Sequence, residues 1–108
     1  MKIIKNSVSL LEKEVKPFAE GFYNAIVGNN LDFDNTKHSY CRLFEEKAFY
    51  KGYNLGSENS HRNILNDIPD NVPDWAYITR YCLRKNIINP DGWGLCMNNY
   101  GNWFLDEN

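Results

Sequence analysis

This 108-residue chain has no basic excess, no cysteine framework and no long apolar run. Twelve Lys and Arg stand against fourteen Asp and Glu, a formal charge of −2, so the electrostatic footprint of a nucleic-acid-binding domain is missing. Near-neutrality also implies a partner surface read through apolar and hydrogen-bonded contacts rather than salt-sensitive steering. Cys41, Cys82 and Cys96 are odd in number and widely spaced, which disfavours a disulfide scaffold and fits a reducing, cytoplasmic compartment. No apolar stretch nears membrane-spanning length, and Met1 to Asn6 lacks the apolar core of a secretory signal, so no membrane partner is expected.

Signatures of chemistry are equally sparse. His38 and Cys41 lie one helical turn apart and could in principle meet Cys82 and Cys96 around zinc, but the paired-cysteine spacing of zinc sites is absent. No metal or cofactor is expected, and the cysteines read as small core residues. Ser60-His61-Arg62 offers a hydroxyl, a base and a cation in a row, yet catalytic geometry comes from the fold rather than from adjacency. The alternative is a small His-dependent hydrolase with Asp67 or Glu58 orienting His61; the plainer expectation is that Ser60 caps a short helix and His61 lies at the surface. Gly52-Tyr53-Asn54-Leu55-Gly56 and Gly92-Trp93-Gly94 do not follow a strand-to-helix phosphate loop. No catalytic residue is assigned.

What the chain does have is rings: 15% of residues are Phe, Tyr or Trp, within a globular composition of 43% hydrophobic and 24% charged residues. One domain over 1–108 is expected. Val8, Leu11, Val15, Phe18, Ala19, Phe22 and Ile26 recur at helical steps, with Ser9 and Glu12 as a capping box and Gly28-Asn29 as a stop. Pro17 must kink this helix, near Lys16, or open a second one. A loop over 29–36, capped by Asn35 or Thr36, leads to a second helix ending at Gly56. Its inward stripe is Cys41, Phe44, Ala48, Gly52 and Leu55; Ala48, Gly52 and Gly56 would admit a close neighbour, and Phe49, Tyr50 and Tyr53 fall outside it. One helical turn near Asn63 to Asn66 and an exposed connector over 67–74 precede a third helix opened by Pro73, with Trp75, Ile78 and Cys82 inward. Asn89-Pro90-Asp91-Gly92 reads as a turn, and two apolar runs around Asn98 to Gly101 spell a β-hairpin. Lys2 to Lys5 or Ile87-Ile88 would supply a third strand. The expected fold is α+β: three main helices packed with a C-terminal β-hairpin and a short third strand from the N-terminus.

Tyr77, Arg80, Tyr81 and Arg84 form a second stripe on the third helix, in the residue types that dominate interface energies. Tyr50, Tyr53, Trp93, Tyr100 and Trp103 would extend it. The competing account is that these tyrosines roof the core with only their hydroxyls wet. In kind, the chain resembles the short accessory proteins of bacteriophages and mobile elements: one Asn- and Tyr-rich domain with a helical segment, Ala48 to Gly56, of a type such proteins carry. That resemblance implies stoichiometric inhibition of a host defence, as anti-CRISPR and anti-restriction proteins perform. The reading is thus a non-enzymatic inhibitor or adaptor that occludes a partner protein's surface, without direct nucleic-acid binding; a second copy of the chain is also an admissible partner. The alternatives are a nucleotide or small-ligand sponge, in which rings stack on the ligand and Arg80 or Arg84 meets its phosphate, the His-dependent hydrolase or nuclease, and an immunity protein or antitoxin.

Overall fold

Val8–Leu11 is extended, although its apolar spacing also fits a helix. The computed structural model describes residues 7–28, 43–58, 61, 64 and 66–107, with side chains from residue 46 onward in the second of these segments. Within them Val8–Leu11 forms β1 and pairs in parallel with β2 (Ile88–Asp91), Val8 opposite Ile88 and Leu11 opposite Asp91. Partners some eighty residues away take up the backbone groups of Val8–Leu11, and Leu10 turns fully inward while Leu11 faces out. The expected turn at Asn89-Pro90-Asp91-Gly92 is likewise corrected: its first three residues complete β2, and Gly92 alone, at φ 77°, makes the bend. Pro90 is tolerated there because β2 is an edge strand, where a missing N–H need not break a ladder.

The first helix therefore starts later than the periodicity suggests. A 3-10 turn at Glu12–Glu14 leads into α1 (Val15–Ile26). The Leu11 N–H donates to the Glu14 carboxylate at 2.8 Å, so the anticipated Ser9–Glu12 cap is replaced by one two residues on. Pro17 lies in the first turn of α1, where a missing backbone donor costs nothing, and no bend at Lys16 is required. Val15, Phe18, Ala19, Phe22 and Ile26 are buried as the stripe implies, and Gly28 at φ 77° follows the helix end.

The packing of α2 (Leu43–Gly56) on α1 is the most extensive contact between elements. Gly52 and Gly56 on one helix and Gly21 on the other let the two backbones touch. A β-carbon on Gly52 would sit 2.0 Å from the Phe18 carbonyl oxygen, and one on Gly21 would sit 1.9 Å from that of Phe49. The close neighbour implied by Ala48, Gly52 and Gly56 is thus α1. At such an approach Phe49, expected outside the stripe, is fully covered, as are Phe18 and Phe22. Each ring contributes about 1.5–3 kcal/mol by leaving water.

After α2, the described residues His61, Ile64, Asn66 and Asp67 adopt 3-10 turns, and residues 67–74 are mostly exposed, as the connector requires. α3 (Asp74–Arg84) begins after Pro73, whose carbonyl accepts from Ala76 and Tyr77. Ala76, Ile78, Thr79 and Cys82 are fully buried, while Trp75 is only half-buried. The hairpin forms where expected, β3 (Trp93–Met97) antiparallel to β4 (Trp103–Glu107). In its turn the Asn98 carboxamide oxygen accepts from Tyr100 N–H (2.9 Å) and Asn102 N–H (3.0 Å), and Gly101 takes φ 82°. The fold is α+β, three helices with an antiparallel strand pair and an N-terminal strand. That strand pairs with β2 rather than with the hairpin, giving two two-stranded sheets. The buried Trp93 indole joins them by donating to the Leu10 carbonyl at 2.7 Å. The alternative third strand Lys2 to Lys5, the loop at 29–36 with its caps, Cys41, and the Phe44 side chain lie outside the described residues.

Gly52→Ala must push α1 and α2 apart and should cost about 3 kcal/mol or more, at the upper end of overpacking penalties. Gly94→Ala, whose β-carbon meets no atom within 4 Å, should change stability by less than about 0.5 kcal/mol. Urea denaturation of the two variants checks both, and equal stabilities would refute the close helix contact.

Candidate binding face

The hairpin and α3 bring part of the ring-and-cation stripe together. Directly opposed residues of an antiparallel pair share a face, so Trp93, Leu95, Met97, Trp103, Leu105 and Glu107 point one way and Gly94, Cys96, Phe104 and Asp106 the other. The first set is the inner face: Trp93 is buried and Leu105 packs on the core. Towards the hairpin tip that face runs out of core, and Trp103 meets α3 through Arg80. The Arg80 guanidinium lies 6.0 Å from the Trp103 ring centre and 5.7 Å from that of Tyr77, within cation–π range of both. Beyond it Met97, paired with Trp103, is 56% exposed, and Tyr100 at the turn is 89% exposed. Phe104, on the outer face beside Cys96, is 41% exposed.

The other candidates have different places. Trp93 is removed from the face: a core residue with its indole hydrogen-bonded offers a partner nothing. Tyr50 and Tyr53 are half-buried on α2, their rings gathered around Phe49. Arg84 is exposed one turn beyond Arg80, and Lys85 lies 5.9 Å from the Tyr81 ring centre.

Tyr81 serves a second cluster that the sequence reading missed. His61, expected at the surface, is 6% exposed. Its Nδ1 lies 2.7 Å from the Tyr81 hydroxyl and its Nε2 3.3 Å from the Glu58 carboxylate, with the Phe22 ring 5.2 Å away. A carboxylate at Nε2 calls for a proton there, which leaves Nδ1 to accept from the phenol. Burial first, then the charges of Cys82, Glu58 and Tyr77, raises the Tyr81 pKa, so this phenol keeps its proton. An activated nucleophile needs the opposite shift. The trio therefore works as a polar tie joining the segment after α2 to α3. Of the two carboxylates expected from the sequence to orient His61, Asp67 or Glu58, it is Glu58 that lies against the ring; Tyr81, twenty residues away, carries no local signal.

Cys82 is fully buried, and desolvation pushes its thiol up to about 12, so it is no thiolate ligand or nucleophile near neutral pH. Among the described residues no group of three His, Cys, Asp or Glu side chains is placed to hold a metal; His38, Cys41, Ser60 and Arg62 lie outside them. No helix is long and apolar enough to cross a membrane among the described residues. A cleft of about 330 Å³ between α1 and the start of α3 is lined by Lys16, Glu20, Tyr23, Asn24, Asp74 and Trp75 among others, with the Lys16 ammonium 4.8 Å over the Trp75 ring; none of the candidate residues lines it. No family model matches the chain, and comparisons with curated proteins and with solved structures give no match either.

Tyr81→Phe leaves a buried ring nitrogen without its donor and should destabilise the chain by about 1–3 kcal/mol in denaturant titration. An unchanged midpoint would mean that the tie does not form.

Proposed function

We propose that the protein is a non-enzymatic binding protein that occludes a surface of another protein, docking through the hairpin and the adjoining stripe of α3. The observation that carries this reading is where the uncovered apolar side chains fall. Of the five large hydrophobic residues exposed among those described, Met97, Tyr100 and Phe104 belong to the hairpin, a two-stranded sheet small enough to need cover. Isolated exposed apolar residues are ordinary; three on one short hairpin that meets Tyr77 and Arg80 through Trp103 match the composition of interface centres. The resemblance to bacteriophage accessory proteins puts a host-defence protein first among partners, and inhibition by occlusion requires only that this face be filled. Since Tyr81 belongs to the His61 tie, the docking surface is narrower than the helical stripe: Tyr77, Arg80 and Trp103 with Met97 on the inner side of the hairpin, Tyr100 at its tip and Phe104 on its outer side.

Replacing Met97, Tyr100 and Phe104 together by Ser should leave a folded protein that loses its partner. Leu11→Ser with Val27→Ser, which removes the other two exposed apolar side chains, should retain it. Affinity capture from the native host with quantitative mass spectrometry makes the comparison. A captured protein kept by the hairpin variant, or lost equally from both, would contradict the assignment.

A further inference from the structure

Residues 75–85 carry three basic side chains and no acidic one, and residues 93–105 carry no charge at all. The acidic residues of these two elements sit at their far ends, Asp74 at the start of α3 and Asp106 and Glu107 at the base of the hairpin opposite Gly94 and Trp93, so the charge nearest Arg80 on α3 is basic although the chain's formal charge is −2. Arg80 is the centre of the patch. It is half-buried, within cation–π range of both the Tyr77 and Trp103 rings, and among the described residues no carboxylate or carbonyl engages its guanidinium. Ring contacts of this kind hold the group without using its five N–H donors, which no described residue accepts. Arg84 and Lys85, both exposed, add charge within one helical turn. A planar cation with free donors matches a carboxylate, which it can meet with two parallel hydrogen bonds, and the exposed apolar side chains of Met97, opposite Trp103, and of Tyr100 at the hairpin turn match hydrocarbon.

We infer that the face receives an acidic, apolar segment of the partner protein, with an Asp or Glu side chain seated on Arg80. This rests on the docking reading above and adds the partner's chemistry to it. A nucleic acid is disfavoured as occupant because three cations beside an uncharged apolar hairpin are few for a polyanion, and the remainder of the chain is acidic. Unlike the expectation drawn from net charge, the inference predicts a salt-sensitive association through Arg80, Arg84 and Lys85.

Selection of a random peptide library on the immobilised full-length chain tests the inference. Enriched peptides should combine Asp or Glu with Leu, Phe or similar residues. Their affinity should fall about tenfold or more on Arg80→Gln, with little recovery in Arg80→Lys, since an ammonium lacks the planar fork. Arg84→Glu with Lys85→Glu alters only exposed side chains, so it tests charge complementarity even if the Arg80 variants unfold; it should weaken binding about tenfold and flatten the salt dependence. Neutral or basic peptides that need Met97, Tyr100 and Phe104 would overturn the acidic partner while leaving the docking face in place. Acidic peptides indifferent to both the arginine and the hairpin substitutions, or no enrichment at all, would overturn both. A labelled single-stranded oligonucleotide binding this face more tightly than the selected peptides would overturn the preference for protein.

Discussion

The close approach of α1 and α2 is the constraint from which the rest follows. Gly21 and Gly52 have no side chain because the opposing backbone occupies the space in which a β-carbon would lie. Helices that approach so closely cover everything beside the contact, which is why Phe18, Phe22 and Phe49 are sealed from water. Phe22 then serves a second purpose: its ring packs on both His61 and Tyr81, so the chain leaving α2 is fastened to α3 beside it. With α1 packed on both other helices, α3 keeps one outward stripe, and the hairpin covers only part of it.

The aromatic surplus is resolved in two ways. Among the described residues most rings are buried or half-buried in the monomer, including Trp93 in the core and Tyr81 in the histidine tie, so the account of tyrosines as a roof over the core fits them. The two exposed rings among the described residues, Tyr100 and Phe104, both lie on the hairpin. A few desolvated anchors can dominate an interface while the residues around them exclude water, so a small remainder suffices for docking.

The legible parts of the sequence were those written in local pattern. The α1 stripe from Val15 to Ile26, the start of α3 at Pro73 and the hairpin around Asn98 to Gly101 follow from helical period, proline placement and turn chemistry. The Ala48-Gly52-Gly56 spacing also foretold a close neighbour. What could not be read was non-local. Val8–Leu11 obeys a helical spacing, and its true partner is a strand some eighty residues away. Asn89-Pro90-Asp91 has turn composition but is held extended by the same pairing. His61 has no nearby sequence feature that announces burial, and Trp93 and Trp103 carry identical local signals although one lies in the core and the other at its margin.

The claim that the hairpin end of the molecule is where a partner sits is tested most directly by contact in the cell. A photo-crosslinking amino acid placed at Tyr100, in the native host, should give one discrete adduct with another protein, while the same group at Val27, exposed at the end of α1, should give none. An adduct at Val27 with Tyr100 silent, or equal labelling at both, would contradict the account.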